Sequence, residues 1–173
     1  MATLTITHTE DLTLNGVQQG TTNTQTLSSI GSVYKRIVKI KDDTDATILV
    51  FKDSVTDGNK DTAQSAGGCF KAADTKYFRI TNLDSDHPCH LNIIGDVDRA
   101  GDAAADDGVE AADDGLAVVL LKPGYSFIWG EVTDSFNAHD AQISVLATVN
   151  NISRIFVNSL SEDVDVEIFV AGT

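Results

Sequence analysis

Calcium coordination is the first chemistry to test, because a hard cation needs several oxygen ligands at close spacing. Asp57, Asn59 and Asp61 stand at alternate positions like the opening of an EF-hand loop. Thr62 then occupies the place where that loop needs Gly, and Gly68 the place of its bidentate Glu, so the motif fails. Asp96, Asp98 and Asp102 could also gather a cation, but no defined turn holds them. A soft metal would draw attention to His87, Cys89 and His90. Adjacent strand residues point to opposite faces, so Cys89 and His90 do not converge, and no second cluster completes a tetrahedron.

Catalytic patterns fare no better. A cupin builds its metal site from two close histidines and a glutamate after a Pro-Gly turn, whereas Pro123-Gly124 is followed by Tyr125, Ser126, Phe127, Ile128 and Trp129. The chain contains no Gly-x-Ser-x-Gly, and His139-Asp140 has no recognisable nucleophile partner. The abundant acids are read as a solvated surface rather than a glycosidase pair. The expectation is a non-enzymatic protein with no catalytic, cofactor-binding or metal-ligating residues.

Composition points the same way. The chain has 173 residues, 42% hydrophobic and 22% charged, which suits one folded domain. Twelve Lys plus Arg against 26 Asp plus Glu give a formal net charge of −14. Such a surface repels nucleic acid, and no basic cluster interleaved with aromatics offsets the repulsion. The start MATLTITHTE has neither a basic nor an apolar signal region, and no run of apolar residues is long enough to span a bilayer, so neither general secretion nor a membrane span is expected. Cys69 and Cys89 match no zinc or redox spacing; buried free thiols are expected, with a single disulfide left open.

The elements that would position these residues are strands. Residues 1–29 carry nine threonines, with Asn15-Gly16 and Gly20 as turn signals, and read as an extended arm suited to a sheet edge or a partner. From 30 to 173 apolar β-branched runs alternate with acidic or Gly-containing turns. Three units read as hairpins: Val33–Ile40 with Thr47–Phe51, Tyr77–Leu83 with His90–Ile94, and Arg154–Val157 with Val164–Val170. Leu116–Leu121 is an apolar run, Lys122-Pro123-Gly124-Tyr125 a type II turn, and Ser126–Trp129 the returning strand. A further strand is expected at Ile143–Val149.

Residues 56–76 read as a long polar loop, and residues 96–114, with eight acids and one arginine, as an acidic insertion. The terminal strand is the clearest, with Val164, Val166, Ile168 and Val170 on one face and Asp165 and Glu167 on the other. The fold class that follows is all-β: an antiparallel β-sandwich, jelly-roll-like, with an N-terminal arm.

Three of these stretches carry a resemblance. Arg79-Ile80-Thr81-Asn82-Leu83-Asp84, Pro123-Gly124-Tyr125-Ser126-Phe127 and Val164-Asp165-Val166-Glu167-Ile168-Phe169-Val170 resemble, in that order, motifs of small β-rich virion proteins of marine and cyanobacterial tailed phages. The resemblance spans about residues 33–173; the Thr-rich arm lies outside it, and the acidic insertion departs from it. It implies a virion structural protein assembled in the host cytoplasm, of the head decoration or cement type. Such a protein would bind the major capsid protein or other virion proteins as a homo-oligomer, with a trimer favoured. A tail or fibre component is the second expectation, and a calcium-dependent carbohydrate-binding module the third.

Overall fold

The computed structural model describes residues 1–52, 68–95, 115–130 and 152–173. Among these, thirteen strands run in chain order. They are β1 (Ala2–Thr9), β2 (Thr13–Leu14), β3 (Val17–Gln18), β4 (Thr22–Ile30), β5 (Ser32–Ile40), β6 (Asp45–Lys52) and β7 (Cys69–Lys71), followed by β8 (Thr75–Asn82), β9 (Cys89–Gly95), β10 (Gly115–Leu121), β11 (Ser126–Gly130), β12 (Ile152–Ser159) and β13 (Val164–Gly172). The protein is an all-β sandwich. One sheet has the order β11-β8-β13-β5 and the other β10-β9-β12-β6-β7, antiparallel throughout except for the parallel pair β6–β7.

Alternation along the strands builds the core. Val164, Val166, Ile168 and Val170 of β13 point inward with Phe78 and Ile80 of β8, and meet Leu91, Ile93, Ile155 and Val157 of the facing sheet. Trp129 stacks on Phe78 at 6.1 Å between ring centroids, which places it in the core, whereas Tyr125 is exposed. In β6 the register skips a residue, Ile155 pairing with Leu49 and Phe156 with Thr47. The resulting bulge lets Ile48 and Leu49, consecutive in the chain, both be buried.

The three expected hairpins are not hairpins. β5 lies in the four-stranded sheet and β6 in the five-stranded one; β8 and β9 are divided in the same way, and so are β12 and β13. Each connection is an arch from one sheet to the other. Ser126–Trp129 likewise does not return alongside β10 but crosses to pair with β8. The physical reason is that an inward apolar face satisfies a strand's burial whether its neighbour in sequence sits beside it or opposite it. A two-residue I′ or II′ turn would fix a hairpin, but these links contain four or six residues, long enough for either a hairpin or an arch. Four residues reach across the roughly 10 Å between packed sheets.

The turn at Lys122–Tyr125 has the expected chemistry. Tyr125 N–H donates to the Lys122 carbonyl at 3.1 Å, and Gly124 sits at φ 74, where a side chain would be strained. The expected loop at 56–76 is corrected within its described part. Cys69–Lys71 forms β7, Ala72–Asp74 a 3-10 turn, and Thr75 already belongs to β8. Phe70 is the cause, since it packs against Tyr34 and Phe51 and draws a short polar segment onto the sheet edge. The expected strand at 143–149 and the acidic insertion at 96–114 lie outside the described residues.

The Thr-rich segment folds back on itself. β1 pairs with β4 from Ala2↔Ile30 to Thr9↔Thr22, and β2 pairs with β3 beyond. Asn15 at φ 53 and Gly16 at φ 78 form the type I′ turn that closes this ribbon. Among the described residues, only its base meets the sandwich. Leu27 and Ile30, with Leu4 and Ile6, pack on Tyr77, Phe169 and Ala171.

Candidate interaction surface

Of the residues singled out for metal or catalytic chemistry, the described ones are not brought together. Asp57, Asn59, Asp61, Asp96, Asp98, Asp102, His139 and Asp140 lie outside the described residues. Cys89 points into the core, fully buried, and desolvation followed by the nearby charge of Asp84 pushes its thiol up to about 11. His87 stands in the preceding arch with Nδ1 3.3 Å from Asp84. His90 follows Cys89 in β9 and so turns to the other face. Among the described residues no three His, Cys, Asp or Glu side chains gather as metal ligands. Cys69 is half-buried on β7, and β6 and β12 separate it from Cys89 in the sheet, so the two are not joined.

The three motifs that carry the phage resemblance do come together, because β11, β8 and β13 are adjacent. Asn82 is their junction. Its buried amide donates to the carbonyls of His87 at 2.9 Å and Leu121 at 3.1 Å and accepts from Asp84 N–H at 3.0 Å. Its backbone exchanges bonds with Gly124 and Tyr125. Asp84 in turn accepts from the backbone N–H groups of Asp86 and His87, which lower its pKa. Ser126 and Thr81 share a hydroxyl hydrogen bond of 2.8 Å. These residues hold the β8–β9 and β10–β11 arches against each other, which is a structural role.

The outer face of the four-stranded sheet is the surface that this framework displays. Cross-strand pairs share a face, so Val33, Lys35, Ile37 and Lys39 of β5 stand beside Ala171, Phe169, Glu167 and Asp165 of β13. Glu167 binds the Arg79 guanidinium on one side and Lys35 Nζ, at 2.7 Å, on the other. The Lys35 hydrogen bond, opposed by desolvation and reinforced by Arg79, holds its carboxyl below the usual range. Arg79 also lies 5.7 Å over the Phe169 ring, which meets Tyr77 edge-on at 5.9 Å. Burial raises the Tyr77 hydroxyl pKa.

Glu167 is thus on the outer face, as its place in the strand requires, but its residue is only 9% exposed. The alternation thus gives its face, but Arg79 and Lys35 shield it from solvent while Asp165 stays exposed. Arg79 and Lys35, which cover it, come from distant parts of the sequence.

At one end of the face Asp163 accepts from Asp42 N–H at 3.0 Å and pairs with Lys41 at 3.0 Å and Lys39 at 3.4 Å. The backbone bond, then the lysines, lower its pKa to about 2. Four cations (Lys35, Lys39, Lys41, Arg79) therefore meet three anions (Asp163, Asp165, Glu167) on this side, whereas the whole chain has more than two acids per base. Ile37 and Ile128 are exposed among them. Elsewhere, a cleft of about 370 Å³ opens where β5, β7 and the end of β13 meet. Lys71 and Asp74 on its wall are paired with each other at 3.2 Å.

No family model matches the chain, and no curated protein matches it. Among solved structures it is similar to one described as a crystal structure of decameric BFDV capsid protein. The identity is 12%, with 98% of this chain and 95% of that chain covered, and the TM-score is 0.23.

Proposed function

We propose that this chain is a non-enzymatic structural component of a virus particle, a head decoration or cement protein of a tailed phage that binds the capsid shell as a homo-oligomer. The observation that carries the reading is the filled interior of the sandwich, and the strand order frames it. The order β5-β13-β8-β11 facing β6-β12-β9-β10, with the described links β5–β6, β7–β8, β8–β9, β10–β11 and β12–β13 each passing from sheet to sheet, supports the expected jelly-roll reading, with β7 added at an edge. Capsid domains, lectin domains and cupins use that architecture. Fold alone does not choose among them.

The chain's own residues favour the particle role. The space between the sheets is filled by Phe51, Phe78, Leu91, Ile155 and Ile168 rather than arranged around a ligand. The motifs that resemble those of phage virion proteins build the framework of the four-stranded sheet. The net charge of −14 favours contact with protein over packaged nucleic acid. Its partner is then the major capsid protein or another virion protein, and its location the virion.

Quantifying this protein in purified particles, then stripping it and rebinding it to emptied heads, tests the reading. Copies in a fixed ratio to the capsid lattice and saturable rebinding are expected. A few copies per particle, retained on isolated tails, would make it a tail or fibre component instead. Calcium-dependent binding to a glycan array, without particle binding, would make it a carbohydrate-binding module.

A further inference from the structure

The end of the N-terminal ribbon is amphipathic in a way that its own fold does not use. Leu14 pairs with Val17 across the turn, and Leu12 lies two residues before Leu14, so all three side chains share one face. On the other face Thr13 and Gln18 touch, and Gln18 donates to Asp11 at 2.7 Å. Leu12, Leu14 and Val17 are 55%, 58% and 57% exposed, and every residue from Thr7 to Gln19 is exposed. The turn is nonetheless built in detail. Gly20 admits the Glu10 carbonyl where a Cβ would lie 1.9 Å from its oxygen, and Gln19 N–H donates to Leu12 at 2.7 Å. Two strands standing alone in water are marginal, so an ordered ribbon with a bare apolar face is suited to covering by a partner.

We infer that this tip docks on the outer face of the four-stranded sheet of a second copy, over Val33 and Ile37 of β5. Charge selects the site. Glu10 continues the apolar face of the tip, two residues before Leu12, and Lys35 and Lys39, each paired with one acid of its own sheet (Glu167 and Asp163), alternate with Val33 and Ile37, which are 58% and 56% exposed. Acid with apolar groups thus meets base with apolar groups, in a chain whose remaining surface is mostly acidic. A symmetric alternative, β5 pairing edge to edge with β5 of another copy, brings Lys35, Arg36 and Lys39 against their own kind and is disfavoured. The contact therefore joins two different patches, and such contacts close into rings when the rotation allows. This inference rests on the homo-oligomer in the proposed function and supplies its contact.

A contact between unlike patches makes a distinctive test possible on the purified full chain without any particle, so its failure leaves capsid binding to be judged separately. Leu14→Asp removes the tip and keeps the face; Ile37→Asp removes the face and keeps the tip. Sedimentation equilibrium of each variant alone is expected to show self-association weakened about tenfold or more relative to wild type. An equimolar mixture is expected to recover a heterodimer, because each variant supplies the half that the other lacks. Both side chains are exposed, so unchanged thermal unfolding is expected; if either variant unfolds, Leu14→Ser or Ile37→Thr takes its place. A monomeric wild type, variants that associate like wild type, or a mixture that stays monomeric would each overturn the inference.

Discussion

Glu167 and Arg79 are joined on the outer face of the four-stranded sheet by residues 88 apart in sequence, and Lys35 closes the same carboxylate from the other side. The group is nearly buried although it points away from the core. Glu167→Gln is therefore expected to lower stability by about 1–2 kcal/mol, because Arg79 is left partly buried without its anion. Asp165→Asn, two residues before it and exposed, is expected to stay within about 0.5 kcal/mol of wild type. Urea unfolding of the two variants checks the contrast, and equal effects would refute it.

The Asp163 cluster predicts a pH dependence. Its pKa is depressed from 3.8 to about 2 in the folded protein, so its contribution is present above the ordinary value and is lost as pH falls through 3.8 toward 2. Asp163→Asn removes that contribution. The melting temperatures of wild type and variant are expected to differ most above about pH 5 and to converge as pH approaches 2. A difference that stays constant across that range would show that the carboxylate's charge is not what matters.

Asn82 predicts a local rule about arches. Asn82→Leu has similar volume but leaves the carbonyls of His87 and Leu121, and the N–H of Asp84, without the partner they have now. A loss of about 2–3 kcal/mol is expected from chemical denaturation. Hydrogen exchange is expected to rise first at Asp84, Asp86 and His87, whose amides depend on this corner.

These residues mark what the sequence displays and what it hides. The inward register of Val164, Val166, Ile168 and Val170 is legible because a strand has a period of two and its acids fall on the opposite face. The Asn15-Gly16 turn is legible because few other pairs accept positive φ twice. The sheet to which each strand belongs is not legible, since β5 and β6 have the same alternation as a hairpin would. Nor is the burial of Glu167, which depends on strands that only the folded order makes neighbours. The interaction surface was hidden for the same reason: β5 and the ribbon tip are ordinary segments until one is seen beside Glu167 and the other bare.

Two glycines separate the stability of the ribbon from that of the sandwich. Gly172 ends β13 where an added Cβ would lie 2.4 Å from the Asp74 carbonyl oxygen, and Asp74 itself accepts from Thr173 N–H at 2.9 Å. Since Asp74 O is backbone held between β7 and β8, it cannot easily retreat, so Gly172→Ala is expected to destabilise the whole domain by about 1–3 kcal/mol. Gly16 has the opposite surroundings, with nothing within 4 Å of an added Cβ, but its φ of 78 is strained for an L side chain. Gly16→Ala should therefore cost about 1–2 kcal/mol, felt only in the tip. Global unfolding monitored by Trp129 fluorescence is expected to shift for Gly172→Ala and not for Gly16→Ala. Amide exchange from Thr13 to Gln18 is expected to accelerate for Gly16→Ala alone. If Gly16→Ala also lowers the global transition, the ribbon tip is coupled to the sandwich, and the division drawn between them fails.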